Sequence, residues 1–142
     1  KSEFAMDSYY PALSGAQQFD PLRRAEFEKD FLVEEYGVRC ILGSEWVTTA
    51  ESSEYAITLV RSGDVPAAKQ VLANLEKLRS PSKLFFTGIG HNSGHTFPVD
   101  EVSSYSNAAF VLAWDCLENY SGAGDIFTSP YDWGEGFTCD IC

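Results

Sequence analysis

Residues 48–79 read TTAESSEYAITLVRSGDVPAAKQVLANLEKLR. This stretch carries the clearest structural signal in the chain. Apolar residues recur at helical spacing on both sides of a break at Gly63. Thr48 followed by Glu51 matches a capping box, and Asp64 stands where it can cap a second helix. The clearest apolar stripe belongs to that second helix and consists of Ala68, Val71, Leu72, Leu75 and Leu78. The stretch therefore predicts an αα-hairpin with an apolar face.

Residues 61–72, RSGDVPAAKQVL, are similar to the turn of a tetratricopeptide unit. One such unit cannot bury its own apolar face, and no second copy follows at a period of about 34 residues. The sequence does not predict a solenoid. Instead, the hairpin should pack against the rest of a single domain.

Three further elements are predicted before and after the hairpin. Asp20 as a cap and Pro21 at the first helical position predict a helix that runs to Gly37. The short apolar segments 38–42 and 83–87 are bounded by turn residues on at least one side and predict two strands.

The last helix is predicted to start near Pro98 and Asp100. Apolar residues surround most of its circumference over 108–117, which is typical of a central buried helix. Together these elements predict a single-domain α+β fold. It should be mainly helical, with about four helices and two or more short strands.

The chain divides into four parts by composition. Residues 1–6, KSEFAM, resemble a cloning remnant, and residues 7–19 form an N-terminal arm without periodicity. Residues 20–122 are the predicted globular helical core. Residues 123–142 are an acidic tail that we expect to pack on the core or on a partner, because it is rich in large apolar side chains. These are Ile126, Phe127, Tyr131, Trp133, Phe137 and Ile141.

The net charge of −11 is unevenly distributed. The first 83 residues contain all ten Lys and Arg with thirteen of the acids, whereas residues 84–142 contain eight acids and no Lys or Arg. Such a charge argues against direct nucleic-acid binding, which needs a basic surface. No stretch reaches the roughly 18 to 20 apolar residues of a membrane span, so no membrane partner is predicted.

A basic protein surface is the partner that this charge favours. The first functional hypothesis is that this is a small acidic, non-enzymatic interaction protein of bacterial or mobile-element origin. It would act as an inhibitor or anti-defence protein, and its partner would be a basic protein surface, such as that of a nucleic-acid-handling protein. The expected contact residues are Asp100, Glu101, Glu118, Asp125, Asp132 and Glu135. The alternative is that the acids only keep the protein in solution. A homodimer through Tyr9, Tyr10, Trp133 and Phe137 is also left open.

Residues 88–95, GIGHNSGH, contain both histidines of the chain. The favoured interpretation is a compact turn in which glycines supply positive φ and the polar side chains satisfy the backbone. An anion-binding nest and a small hydrolase with its site in this loop are the alternatives. No helix follows directly, which argues against a dinucleotide site. The residues of interest are Gly88, Gly90, His91, Asn92, Ser93, Gly94 and His95.

The peptide GIGHNSG, residues 88–94, resembles a short motif of uncharacterised alphaproteobacterial and phage proteins. The resemblance covers seven residues and does not extend to the whole chain. It implies a bacterial or mobile-element context and no particular activity.

Zinc is the cofactor suggested by the spacing of the histidines and of the last two cysteines. His91 and His95 are separated by three residues, and Cys139 and Cys142 by two, as in structural zinc pairs. A zinc-stabilised domain is therefore a further alternative to a protein without cofactors. Without an export signal the cysteines are expected to be reduced and the protein cytoplasmic. Cys116 is expected to be a buried, inert thiol.

Overall fold

A computed structural model describes residues 2–129 of the chain, and within them the α+β, mainly helical prediction is confirmed. The number of helices exceeds the predicted four. They are α1 (Met6–Leu13), α2 (Pro21–Phe31), α3 (Thr49–Arg61), α4 (Val65–Asn74), α5 (Ser104–Glu118) and α6 (Asp125–Thr128), with a 3₁₀ turn at Leu75–Leu78. The strands are β1 (Leu32–Val33), β2 (Gly37–Val38), β3 (Trp46–Thr48), β4 (Gly88–Gly90) and β5 (Thr96–Phe97).

Two small antiparallel sheets lie against the helices. Strands β1 and β2 form a hairpin, and β3, β4 and β5 form a sheet with β4 in the middle. In that sheet Trp46 lies opposite Gly90, and Gly88 lies opposite Phe97. Val47 is buried toward the core, so Trp46 and Thr48 have side chains on the other face of β3.

Helix α3 is the central helix of the fold. Tyr55 and Leu59 are fully buried, and the helix contacts α1, α4, α5 and α6. The expectation that residues 108–117 form the central helix is wrong, because α5 covers α3 with one face only and Val111 on the other is 64% exposed. Helix α5 also begins later than predicted, with Ser103 accepting a hydrogen bond from the Ser106 backbone N–H at 3.1 Å.

The αα-hairpin is present as α3 and α4, and two predicted caps are confirmed. The Asp64 carboxylate accepts a hydrogen bond from the Ala67 N–H at 3.1 Å. The Asp20 carboxylate accepts from the N–H groups of Leu22 and Arg23, each at 3.0 Å. These caps satisfy backbone donors that a helix start leaves without partners inside the helix.

Two local predictions around these helices are wrong. Helix α2 ends at Phe31 instead of continuing to Gly37, because the chain turns into the β1–β2 hairpin through Glu35, which has a φ of 67°. The capping box at the start of α3 does not form. The Thr48 hydroxyl donates a hydrogen bond to the Glu51 carboxylate instead of accepting one from the backbone.

The second predicted strand is displaced along the chain. Residues 83–87 make only an isolated bridge between Arg79 and Phe85, and the strand lies at Gly88–Gly90, inside the peptide first assigned to a turn. The Asn107 side chain of α5 bonds both the N–H and the carbonyl of Phe85, at 2.9 and 3.1 Å. These bonds occupy the backbone groups that a neighbouring strand would need. The first predicted strand, 38–42, is observed as β2 followed by isolated bridges.

The N-terminal residues are part of the packed structure. Residues 7–19 are not an irregular arm, since α1 covers most of them and its Tyr9 is fully buried. Residues 2–5, set apart above as a cloning remnant, pack as well. Ala5 is fully buried and its N–H donates to the Cys40 carbonyl at 3.0 Å.

The acidic tail is only partly described. Helix α6 lies against α3 and α5, and Phe127 packs on the core. The remaining tail residues, including Asp132, Glu135, Cys139 and Cys142, lie outside the described residues. Within residues 2–129, no helix combines the length and the apolar character needed to cross a bilayer.

Candidate functional site

The GIGHNSGH peptide forms the β4–β5 hairpin and its turn. Gly94 has a φ of 72°, as the turn interpretation predicts, and its N–H donates to the Gly90 carbonyl at 2.7 Å. The Gly90 N–H donates to the His95 carbonyl at 2.8 Å and closes the loop. The exposed side chains at the tip are Asn92, Ser93 and His95.

Gly88 and Gly90 do not have a positive φ, but a side chain at either position would crowd neighbouring atoms. A Cβ atom on Gly88 would lie 2.9 Å from the Val47 carbonyl oxygen, and one on Gly90 would lie 2.9 Å from the Glu45 carboxyl carbon. On the outer face of the same sheet, the rings of Trp46 and Phe97 stack with centroids 4.7 Å apart. Aromatic residues on flanking strands commonly cover a glycine strand in this way.

His91, Ser93 and Glu45 are brought together at the base of the hairpin. The His91 N–H donates to the Glu45 carbonyl at 3.0 Å, and His91 Nδ1 lies 2.7 Å from the same oxygen. Ser93 Oγ donates to Glu45 Oε1 at 3.2 Å. The serine is thus bonded to a carboxylate and not to an imidazole. A serine nucleophile would need a histidine base beside it, so this geometry does not assemble the machinery of the hydrolase alternative.

The zinc alternative stays a prediction. Because Nδ1 of His91 faces a carbonyl, Nε2 is its ring nitrogen available to a metal, and a carbonyl in this position orients histidine ligands in metal sites. Within residues 2–129, no three His, Cys, Asp or Glu side chains are grouped closely enough to hold a metal ion. The other two predicted ligands, Cys139 and Cys142, lie outside that range.

Cys116 is the packing thiol that the sequence predicts. It is half-buried beside the 122–125 turn. Burial and, to a lesser extent, the neighbouring carboxylates of Asp115 and Asp125 together raise its pKa to about 11. A thiol that remains protonated at neutral pH is a poor nucleophile.

The expected acidic contact residues fall into two groups. Asp100 and Glu101 are exposed before the start of α5, whereas Glu118 is exposed as the last residue of α5 and Asp125 as the first residue of α6. Since α5 has 15 residues, the groups are about 20 Å apart along its axis. Their role in binding a basic partner stays a prediction.

A cluster of tyrosines around one carboxylate is absent from the sequence-based predictions. Tyr9 and Tyr10 of α1 and Tyr105 of α5 all donate hydroxyl hydrogen bonds to Glu54 of α3. Tyr9 reaches Oε2 at 2.6 Å, whereas Tyr105 and Tyr10 reach Oε1 at 2.7 and 3.4 Å. We call these four residues the tyrosine–glutamate cluster.

Electrostatics keep the cluster's hydroxyls protonated. Burial raises the pKa of Tyr9 far above its usual range, and the adjacent Glu54 carboxylate raises it further. The pKa of Tyr105 is raised for the same two reasons, although its side chain is 59% exposed. Glu51 lies one turn before Glu54 on the same helix and also raises the pKa of Tyr9. The cluster thus offers neutral hydroxyl donors beside two carboxylates.

The tyrosine–glutamate cluster could not be predicted from the sequence because its members are far apart in the chain. The three hydrogen bonds join residues 45, 44 and 51 positions apart, so no local motif carries them. The available signal was weak: Glu51 and Glu54 recur three residues apart on a helix otherwise rich in buried side chains.

Most of the chain can be aligned with a curated protein. The chain is 31% identical over 129 residues to an MMP endo-(1,4)-3-O-methyl-alpha-D-mannosidase of Mycolicibacterium hassiacum. No protein-family model matches the chain. The aligned region covers 89% of this chain but 36% of the mannosidase, so the chain spans about a third of the length of that relative.

A second group of charged side chains contrasts with the cluster. Glu28 accepts hydrogen bonds from the Tyr55 hydroxyl at 2.6 Å and from Arg24 at 2.7 Å, and Arg24 also pairs with Asp64 at 2.6 Å. Here the carboxylates are neutralised by an arginine that ties α2 to the start of α4. This arrangement is a structural tie between helices. The Glu54 carboxylate of the tyrosine–glutamate cluster is bonded to neutral hydroxyls, and a ligand hydroxyl can replace the exposed ones.

Proposed function

We propose that this chain is the glycan-binding part of a glycoside hydrolase that acts on α-linked mannosides. The observation that carries the proposal is the 31% identity to the mannosidase over 129 residues. A second support is the location of two carboxylates next to exposed tyrosines. Glu54 accepts hydrogen bonds from Tyr10 and Tyr105, and Glu51 is close enough to Tyr10 to raise its pKa.

Two carboxylates are the usual machinery for cleaving a glycosidic bond. Glu51 and Glu54 lie three residues apart on α3, so their side chains are neighbours on the surface of the helix. The tyrosine hydroxyls fix the Glu54 carboxylate in one orientation. In the proposed reaction Glu51 gives its carboxyl proton to the glycosidic oxygen as the bond between that oxygen and the anomeric carbon breaks, and Glu54 stabilises the positive charge that develops at this carbon. A water molecule then adds to the anomeric carbon and returns a proton to Glu51.

The tyrosine rings suit a sugar ligand. Sites for small molecules combine apolar and aromatic surface with a few fixed polar groups. Tyr10 and Tyr105 provide both, since each exposes part of its ring and carries a hydroxyl oriented by Glu54. Sugar hydroxyls can donate to the carboxylates and to the two tyrosine oxygens, whose own protons are bonded to Glu54.

The test uses the full chain and an α-(1,4)-linked mannose oligosaccharide that carries 3-O-methyl groups. Calorimetric titration measures binding, and release of reducing ends measures hydrolysis. Glu54→Gln should weaken binding or slow hydrolysis by about tenfold, equivalent to about 1.4 kcal/mol. Glu118→Gln makes the same chemical change at the far end of α5 and should leave both unchanged. Absence of binding at millimolar concentration, or equal behaviour of the two variants, would overturn the proposal.

Docking on a basic protein surface is the second candidate function. It is favoured by the ion pairs Arg24–Glu28, Arg24–Asp64, Lys77–Glu35 and Arg79–Glu76, which join basic residues of the first 83 positions to acids of the same part of the chain. Residues 84–142 contain eight acids and no Lys or Arg. A partner bound through these acids should dissociate when salt is raised from low to molar concentration, because salt screens charge pairs. A salt-independent complex would exclude this mode of binding.

A further inference from the structure

An aromatic pair lies on the outer face of the β3–β4–β5 sheet. Trp46 on β3 and Phe97 on β5 stack across β4, with ring centroids 4.7 Å apart and planes inclined by 22°. Phe97 is 45% exposed and Trp46 is half-buried. The pair therefore presents aromatic ring surface to solvent, and aromatic side chains are common in the lining of small-molecule sites.

This aromatic pair is linked through β3 to the carboxylates of the proposed site. Trp46 and Thr48 lie two residues apart on the same face of β3, about 7 Å apart along the strand. Thr48 is buried, and its hydroxyl donates to Glu51 in the first turn of α3. The strand therefore holds the aromatic pair at a fixed position relative to Glu51, one helical turn before Glu54.

We infer that Trp46 and Phe97 form a subsite for a neighbouring sugar ring of the same glycan and favour a ring that carries an O-methyl group. This inference rests on the proposed function. The C–H face of a pyranose ring packs on an aromatic face, whose electron density attracts the weakly positive hydrogens. A methyl ether adds apolar surface and removes a hydroxyl donor, so an aromatic wall gains from it what a polar wall would lose.

The glycines of β4 shape the subsite. With no side chains at Gly88 and Gly90, nothing from the central strand rises between Trp46 and Phe97, and the two rings meet over it. Covering a glycine strand accounts for the stacking of the pair. A purely structural role for the pair would not make the protein distinguish methylated from unmethylated sugars. A measured preference for methylated sugars therefore separates a binding role from a structural one.

The experiment compares two α-(1,4)-mannose oligosaccharides of equal length, one with and one without 3-O-methyl groups, by calorimetric titration of the full chain. The wild type should prefer the methylated ligand by about fourfold per buried methyl, which corresponds to about 0.8 kcal/mol. Phe97→Ala should reduce the ratio toward one. Phe97→Leu keeps apolar volume without the ring and should give an intermediate ratio, and it serves as the test if the alanine variant does not fold.

Two control variants isolate the ring. Val99→Ala removes a highly exposed apolar side chain two residues away, and Tyr120→Ala removes an exposed ring after α5. Both should keep the wild-type preference. Glu54→Gln should weaken both ligands and leave their ratio unchanged, because it acts on the carboxylate part of the surface.

The outcomes separate the two proposals. If the wild type binds both ligands equally, or if the Phe97 variants keep the full preference, the subsite is refuted while the proposed function stands. If neither ligand binds to the wild type, the proposed function itself fails and the subsite fails with it. Loss of the methyl preference in the Phe97 variants alone supports the subsite.

Discussion

Glu54 shows how one residue organises three elements, because α1, α3 and α5 meet at its carboxylate through tyrosine hydroxyls. Tyr9 and Tyr105 make similar bonds, at 2.6 and 2.7 Å, in different environments. Tyr9 is fully buried, whereas Tyr105 is largely exposed. A hydrogen bond from a hydroxyl to a carboxylate contributes more to the free energy of unfolding where water cannot replace it. The buried bond should therefore contribute more to stability.

We expect Tyr9→Phe to lower the free energy of unfolding by about 1.5 to 3 kcal/mol, the usual value of a hydrogen bond to a charged group. Tyr105→Phe makes the same change at the exposed position and should cost less than about 1 kcal/mol. Urea unfolding of both variants measures the difference. Equal losses would show that burial does not distinguish the two bonds.

At the scale of elements, the sequence predicted what local chemistry determines. Asp20 and Asp64 cap their helices because the donors that they bind are two or three residues away. Strand β4 could not be predicted in this way. Two of its three residues are glycine, which has a poor strand propensity. Its partner Phe97 is near in sequence, whereas its partner Trp46 is more than 40 residues away. The apolar run at 84–86 looked more like a strand but bonds to Asn107 of α5 and to Leu78.

Gly88 and Gly90 provide a matched test of why β4 is built from glycine. At Gly88 the nearest atom to an added Cβ is the Val47 carbonyl oxygen, at 2.9 Å, and backbone cannot move without opening the sheet. At Gly90 the nearest atoms belong to the Ser93 and Glu45 side chains, which can turn away. Gly88→Ala should therefore cost about 1 to 3 kcal/mol of stability, and Gly90→Ala less. Thermal unfolding would contradict this explanation if Gly90→Ala were the more damaging change.

At the scale of the whole molecule, the charge asymmetry was visible in sequence but its arrangement in space was not. Composition shows eight acids and no Lys or Arg after residue 83. Only the structure shows that α5 separates Asp100 and Glu101 from Glu118 and Asp125, and that Asp115 is turned inward. Asp115 accepts bonds from the N–H groups of Ser121 and Gly124, each at 2.8 Å. These bonds hold its pKa below the usual range, so this acid fixes a turn instead of facing a partner.

The tyrosine–carboxylate bonds also predict how the whole molecule responds to alkali. Burial raises the pKa of Tyr55 well above its usual range, and its bond to Glu28 raises it further. The unfolded chain releases the Tyr55 proton near pH 10, while the folded chain retains it. The folded state then binds more protons than the unfolded state, so the contribution of Tyr55 to stability is complete below about pH 10 and is lost as the pH rises further, at about 1.4 kcal/mol per pH unit.

Urea unfolding of the wild type and of Tyr55→Phe, from neutral pH to about pH 11, measures this contribution. The comparison cancels the titration of lysines and cysteines, which the two proteins share. Below about pH 10 the stability difference between them should be constant, and above it the difference should shrink, because only the wild type has this proton to lose. A difference that stayed constant across the whole range would mean that the folded protein releases the Tyr55 proton as readily as the unfolded chain does. The hydroxyl would then not be held, buried and neutral, between α3 and the Glu28 carboxylate of α2.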